Sequence, residues 1–576
     1  MRERLAHGRR SRGVERSRIA AEQRRVLASV CIALALVVSA VASLNIALPD
    51  LAAGTGATQT ELQWIVDSYA LVFAGLLLIA GAVGDKYGRK HTLVLGLAVF
   101  GLAHAVGAVA DNPGLLIGAR GVAGIGAALA MPSTLSILTT SFPPAQRARA
   151  VGTWAGVAGA GAVAGLLLSG VLVEVADWRW VFGANALWAG LALALAVRWV
   201  PRSRDVDEQP LDVVGAVLSA TGLAGVIFAT IEGPTRGWTD DLVVGGYAAG
   251  AVLLAAFVLW ELRRTHPMLD PRLFRLRGFR TGTTSMTLQF FALFGFMFAV
   301  LQYLQLVRGY SALEAAFALI PLAMTVGFLS RVVAPRLIGR FGHRPVDATG
   351  LSMLAVGFAI LATLDVDSSD LHVLAGLVPL AAGIGLATTP ATASNVESLP
   401  AAKQGVASAV NDTAREVGGA VGIAVLGSVL NDGYRDGLAQ HTAQLPPEAA
   451  ERAGDSLAFV VEAAERFGPA GQQLLAAGRQ AFVDGFNTTM VVASLVMAFG
   501  ALVVFGRGRG TDDRERALDL TAEPGRAGDG VTALADAVQP DAPASRRPVP
   551  AGRPPVDAVQ PDTPADRRPV SPGARP

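Results

Sequence analysis

The chain has 576 residues, of which 52% are hydrophobic and only 16% charged, with a formal net charge of +2. A soluble domain carries about a quarter charged residues, so polar groups here cannot cover a globule and lipid must cover it instead. The single cysteine, Cys31, excludes a disulfide framework and a cysteine metal site, and the seven histidines show no HExxH-like spacing.

Residues 1–26 are rich in arginine and lead into an apolar run that is too long for a signal-peptide core. They read as a cytoplasmic tail before a first spanning helix. A span needs about 20 apolar residues. Such runs fall at 27–49, 62–84, 92–111, 114–138, 150–174, 178–200, 212–232, 243–262, 283–306, 314–335, 347–365, 371–392, 405–428 and 487–506, fourteen in all.

The loops between runs alternate in charge. One set holds Lys86, Arg89 and Lys90; Arg147 and Arg149; Arg202 and Arg204; Arg263, Arg264, Arg272, Arg275, Arg277 and Arg280; Arg336, Arg340 and Arg344; and Lys403. The other holds Asp111, Asp177, Asp240, Asp241, Asp365, Asp367 and Asp370. Short basic loops mark the cytoplasmic side, which predicts an even number of spans with both termini inside.

Gly339-Arg340-Phe341-Gly342-His343-Arg344, between runs ten and eleven, parallels Asp85-Lys86-Tyr87-Gly88-Arg89-Lys90, between runs two and three. The repeat predicts an all-α integral membrane protein with two parallel six-helix halves, 27–200 and 283–506, and two helices inserted within 201–282. Residues 429–486 read as one long outer loop carrying short surface helices. The polar tail 507–576 contains the near-duplication DAVQPDAPASRRPV and DAVQPDTPADRRPV. It is too poor in apolar residues to build a core and is expected to be disordered and cytoplasmic.

Ionisable residues inside spans are costly and mark candidate sites. Asp67 lies about 7–8 Å below the outer end of run two at about 1.5 Å per residue. Arg120 in run four and Asn45 in run one sit at similar depth, so the three are expected to meet in one polar cluster. Asp67 is there either as a proton-carrying acid or as half of a fixed ion pair. In run thirteen, Glu416 falls near mid-span, with Asp412 one turn earlier and Arg415 three residues from Asp412. Two acids and a base there suit proton handling or a self-neutralising packing cluster. Gly156, Gly159, Gly161, Gly165 and Gly170 line run five for close helix packing. The chain has no GxxxxGK[ST] loop, so ATP is not the expected energy source.

Several motifs together resemble the fourteen-helix drug:proton antiporters of the major facilitator superfamily, the EmrB/QacA type. These are the loop Gly81–Lys90, Leu44-Asn45-Ile46-Ala47-Leu48-Pro49, QWIVDSYAL in run two, Leu116-x-x-x-Arg120-x-x-x-Gly124-x-Gly126, and Trp178-Arg179-Trp180-Val181-Phe182-x-x-Asn185. His266-Pro267-Met268-Leu269-Asp270, Tyr303-Leu304-Gln305 and Gly309-Tyr310-Ser311 resemble features of the family's second half. The resemblance covers about residues 27–506. It implies proton-driven export of lipophilic or cationic drugs or antibiotics by alternating access, with Asp67 a membrane acid, Arg120 its charge partner, and Asp85, Gly88 and Arg89 a conformational latch.

The chain departs from that pattern at two positions. Ala40 stands where many relatives carry an aspartate, and Leu166 follows Gly165 where the antiporter motif has proline. These leave a symporter or uniporter of the same fold as an alternative, and a non-transport receptor or scaffold as a second. The expected partners are a small-molecule substrate, protons and the bilayer of a bacterial inner membrane, with no nucleic acid, no cofactor and no metal. The expected working unit is a monomer, and no enzymatic activity is expected.

Overall fold

The computed structural model describes residues 2–203, 211–265, 267–399, 404–443 and 445–506. Arg204, Lys403, His266 and the tail 507–576 lie outside the described residues. In chain order the helices are α1 Arg2–Thr55, α2 Gln59–Tyr87, α3 Arg89–Ala108, α4 Pro113–Ser141, α5 Pro144–Val175, α6 Arg179–Trp199, α7 Val213–Arg236 and α8 Asp241–Arg263. They continue with α9 Arg277–Gln302, α10 Ala312–Phe341, α11 His343–Leu361, α12 Asp370–Glu397, α13 Gln404–Thr442, α14 Pro447–Asp455 and α15 Leu457–Gly506. Thirteen of the described helices are long and apolar enough to cross a membrane, and α2, bent by 56°, makes up to fourteen. The protein is a multi-pass membrane protein.

Local chemistry sets the helix ends. Thr58 and Glu61 form a reciprocal capping box that starts α2. Asn112 accepts from Leu115 N–H at the start of α4, and Asp212 accepts from Gly215 N–H at the start of α7. Gly88, at φ +105°, turns α2 directly into α3, and Gly342, at φ +83°, does the same between α10 and α11. The two copies of the loop therefore share a backbone solution.

The repeat holds in the packing. α1 packs on α5 as α9 packs on α13; α3 packs on α4 and α6 as α11 packs on α12 and α15. The halves meet along reciprocal seams, α2 with α13 and α5 with α10. Inserted helix α7 lies against α2 and α13. It joins both halves: Trp64 Nε1 donates to Glu232 Oε1 (2.9 Å), and Ser428 Oγ donates to the Thr230 carbonyl (2.7 Å).

One end of the bundle carries the basic turns at Arg89–Lys90, Arg147 and Arg340, and the other carries Asp111, Asp177 and Asp370. At the acidic end a single apolar core runs across both halves, joining Leu48, Leu51, Leu62 and Ile65 to Phe298, Leu301, Ile423 and Leu426. Toward the basic end the cores stay within one half. One uses residues of α1 to α6 and the strand-like exit after α6 only; others use α9 to α13 and the segment before α9. Hydrogen bonds between the halves also lie at the acidic end. Gln305 Nε2 donates to the Ile46 carbonyl (3.0 Å), and Asn431 Nδ2 donates to Thr60 Oγ1 (3.4 Å). The halves are thus closed on each other at the acidic end.

Three expectations are corrected. The Arg-rich segment before residue 27 continues helix α1 back to Arg2. Run ten is interrupted by a π-turn at Leu329–Val333, and run nine ends in another at Tyr303–Val307. The long loop 429–486 is mostly helix: α13 runs on to Thr442, α14 follows, and α15 begins at Leu457. Its helices are not merely surface ones, because Tyr434, Leu457, Val460 and Phe482 are buried in a shared cap. Gly468 at φ +57°, followed by Pro469, breaks α15 where the cap meets the span.

Candidate functional site

α2 supplies the first acid. Its successive faces divide among three neighbours. Ser68 Oγ donates to the Ile117 carbonyl of α4 (3.1 Å), Trp64 reaches α7, and Gln63 lies against Gly427 of α13. Asp67 falls on the α13 stripe, one turn after Gln63 and one before Ala70, which packs with Ala420 and Ala424. Asp67 is 0% exposed, and neither carboxylate oxygen has a hydrogen-bond partner.

The expected Asp67–Arg120–Asn45 cluster does not form. Arg120 is buried, its Nε donates to the Ile65 carbonyl (3.1 Å), and its guanidinium carbon sits 4.3 Å from the centre of the Tyr69 ring. Tyr69 is two residues from Asp67, on another face of α2, so the arginine is held on the α4 side while the acid looks toward α13. Asn45 Nδ2 turns back to the Val41 carbonyl of its own helix (3.0 Å). Equal depth brought these residues to one level, and helix rotation separated them. Ala40 lies in the apolar core of the first half, and its carbonyl accepts from Ser43 Oγ (3.3 Å).

α13 supplies the second group. Arg415 Nη1 lies 3.6 Å from Asp412 Oδ1, as their spacing predicts, and its guanidinium carbon stacks 4.6 Å from the Phe290 ring centre. Glu416 is buried. The Tyr69 hydroxyl lies within electrostatic reach of both Arg120 and Glu416, so the acid of one half and the arginine of the other share one neighbour. Gly418, Gly419 and Gly422 let α13 approach α9 so closely that a Cβ at each would strike Thr287, Phe294 and Phe291. In run five, Gly161 and Gly165 are likewise pressed against Ala35 and Ser39 of α1, a packing role.

The loop residues meet locally. Arg89 Nη2 lies 2.8 Å from Asp85 Oδ1, one turn apart across Gly88, and Lys90 Nζ donates to the Val197 carbonyl at the end of α6 (2.8 Å). Arg89 N–H donates to the Ser203 carbonyl (3.0 Å). The second copy has no acid at Gly339. There His343 Nε2 lies 3.7 Å from Glu397 Oε1 at the end of α12.

Sequence reasoning passed over two charged groups inside the spans. Asp347 is buried and accepts a 2.6 Å bond from Ser285 Oγ. Gln289 Nε2 donates to Ser285 Oγ (2.9 Å), and Thr388 Oγ1 donates to Gln289 Oε1 (2.8 Å). Asp347 opens run eleven and so reads as the edge of a loop; the Ser285–Gln289 turn spacing on run nine was the available signal. Arg331 stands on the π-turn of α10 and points at Gly156 of α5, whose added Cβ would lie 3.4 Å from Arg331 Nη2. A π-turn interrupting an otherwise regular helix shows no sequence pattern.

Residues 30–423 match the sequence model of the Major Facilitator Superfamily. The chain belongs to this superfamily. Among relatives of this facilitator, the multidrug efflux pump LfrA of Mycolicibacterium smegmatis is 35% identical over 463 residues, 80% of this chain and 91% of that one. The puromycin resistance protein pur8 of Streptomyces alboniger is 35% identical over 402 residues, 69% of this chain and 80% of its own. The cephamycin export protein CmcT of Amycolatopsis lactamdurans is 35% identical over 435 residues, 75% and 88%. The fold matches a bacterial homologue of the human lysosomal transporter Spinster, solved inward-facing and unoccupied, with TM-score 0.61 at 16% identity over 85% of this chain and 99% of that one. A facilitator is a membrane transporter rather than an enzyme.

Proposed function

We propose that this facilitator exports lipophilic or cationic drugs and antibiotics across a bacterial cell membrane in exchange for protons, working as a monomer with both termini in the cytoplasm. The names of the relatives support drug export. The loop charges support the orientation, because basic loops stay inside. On that orientation the acidic end faces out, and the closed seam there makes this an outward-closed form.

The observation that carries proton coupling is Asp67, sealed in the α2–α13 seam with no partner. An ionised carboxylate in that place is an uncompensated buried charge, worth on the order of several kcal/mol against closure. The acidic end therefore closes over a neutral Asp67. Opening the same seam to the outside lets water reach the carboxyl, where the outside supplies the proton. Closure then carries that proton inward, and its loss to the cytoplasm as drug binds from the basic end leaves a buried charge that drives the seam open again. Drug enters from the basic end toward Glu416, whose carboxyl offers attraction to a cation, while Arg120 already covers the Tyr69 face. Asp412 and Arg415 hold α13 beside that place, and Asp85, Gly88 and Arg89 latch the basic end. The energy source is the proton gradient, with no cofactor.

The test is proton release in proteoliposomes carrying an internal pH dye, with a panel of lipophilic cations and neutral antibiotics. Wild type is compared with Asp67→Asn and Glu416→Gln. Substrate-triggered proton movement that Asp67→Asn abolishes supports the reading. Transport of a compound with no proton movement in wild type rejects antiport and leaves a uniporter, the outcome that Ala40 and Leu166 favour.

A further inference from the structure

The seam above Asp67 is unusual in its polar chemistry. On the face of α2 that meets α13, Gln59, Gln63 and Asp67 follow one another at four-residue steps, about 6 Å each along the axis. Opposite them stands Asn431. All four side chains are buried, at 7%, 0%, 0% and 1% exposure. Gln59 Nε2, both amide atoms of Gln63, and Asn431 Oδ1 have no hydrogen-bond partner, and neither does Asp67. Buried amides are ordinarily paired, by protein or by water. A whole column of unpaired donors and acceptors leading to one carboxyl offers water its hydrogen bonds as the seam parts.

The column begins at a pocket. Gln59, Asn431, Tyr434 and Asp455 line a small space of about 10 Å³, room for a single water, on the acidic end under the cap. Asp455 is its ionisable group. It pairs with Arg435 of α13 and also feels Glu451 of α14 and Glu61 of α2. Burial pushes the Asp455 carboxyl above the usual carboxylate range; Arg435 pulls it down, and Glu451 and Glu61 push it up again. At the inner end, the Gln63 amide lies directly on Gly427, so α13 leaves room there for an amide and for little else.

We propose that the column from Asp455 through Gln59, Asn431 and Gln63 is the path by which protons from the acidic end reach Asp67, on water held between the amides. It deepens the reading of Asp67 as the coupling acid and rests on it. A proton taken up by the Asp455 carboxylate passes to the first water. Each water then gains one O–H bond and gives up another, and the last proton forms the O–H of neutral Asp67. The amides hold and orient the water without themselves being protonated. A column one side chain wide takes in water before it can take in a drug. Proton loading therefore precedes an opening wide enough for drug, and the two use different ways into the protein.

The test needs no transported substrate. The full chain in lipid is moved from H2O to D2O, and the carboxylic C=O band is followed by infrared difference spectroscopy. The part of the band lost in Asp67→Asn is that of neutral Asp67. Its exchange rate is then compared in wild type, Gln63→Leu, which fills the column with apolar atoms, and Gln63→Ser, which leaves room for a water. The path predicts exchange slower by on the order of tenfold or more in Gln63→Leu, with Gln63→Ser near wild type. Equal rates in wild type and Gln63→Leu overturn the path while leaving Asp67 a protonated acid. A band unchanged in Asp67→Asn overturns the reading of Asp67, and the path with it. If Gln63→Leu does not yield folded protein, Gln59→Leu is measured in its place against the same two outcomes.

Discussion

Asp67 and Asp347 are both sealed from solvent, at 0% and 3% exposure, one in each half. They differ in what surrounds them. Asp347 receives the Ser285 hydroxyl, which Gln289 and Thr388 in turn support, so that one donor, backed by a chain across α9 and α12, points at the carboxyl. Asp67 receives nothing. A buried acid with a donor in place is held by the fold, since that hydrogen bond offsets part of its burial. A buried acid without one is tolerated only in its neutral form, and a structure that keeps it there ties its own closure to a proton. Position reinforces the contrast: Asp347 sits inside one half, whereas Asp67 sits on the seam that must part in alternating access.

The largest expected effect follows from that contrast. Asp67→Asn should reduce substrate-driven proton movement on the order of a hundredfold or more. Asp347→Asn should leave it within a few-fold of wild type once expression is matched. Both are read from the same proteoliposome assay, and comparable losses in the two variants would remove the distinction between a coupling acid and a structural one.

Stability should rank them in the opposite order. Asp347→Leu removes the acceptor of a buried hydroxyl and should destabilise the second half by about 1–3 kcal/mol. Asp67→Leu takes away an unpaired carboxyl and should leave the thermal midpoint unchanged or raise it. Thermal unfolding of both variants in one detergent is the measurement.

How much of this was legible in the sequence depends on the range over which each feature is fixed. The spans were legible because about 20 apolar residues are a local property. The two halves were legible because the Gly88 and Gly342 turns repeat in the same register. Asp67 and Glu416 were legible as intramembrane acids, and Asp412 with Arg415 as a pair within one helix. The partner of Arg120 was not. Depth is counted along a helix, but which neighbour a side chain meets depends on rotation, and α2 divides adjacent residues among α4, α7 and α13. Asn45 returned to its own helix for the same reason. The cap escaped notice because residues 429–486 are polar enough to read as a loop, while their apolar members, Tyr434, Leu457 and Phe482, are too widely spaced to form a run.

A smaller effect should come from the seam's geometry. A Cβ at Gly427 would overlap the Gln63 amide. Gly427→Ala should therefore disfavour closure of the acidic end by about 1–3 kcal/mol, as overpacking does. Spin labels at exposed positions on the α2 and α13 ends should show a larger population with the halves apart. An unchanged distance distribution would mean that Gln63 moves aside freely and that the seam is less tightly fitted than its contacts imply.

The smallest effect concerns the cap, where Asp455 lies outside the spans. Its carboxyl is raised by burial, with Arg435 opposing, so the folded cap holds a proton more tightly than the unfolded segment does. The sign follows from linkage. Below the unfolded carboxylate range both states are protonated and pH has no effect. As pH rises through the unfolded value toward the raised folded one, the unfolded segment loses its proton first and the cap loses stability. Above the folded value the loss is complete and constant. Amide exchange in α14 and the first turns of α15 should therefore slow, after correction for intrinsic rates, as pH is lowered through the raised value. Asp455→Asn should remove that dependence. Arg435→Gln should strengthen it, because the group that holds the carboxyl down is gone. If Arg435→Gln instead weakens the dependence, the ion pair is not what balances burial at the mouth of the seam, and a different basic group governs the first acid on the way to Asp67.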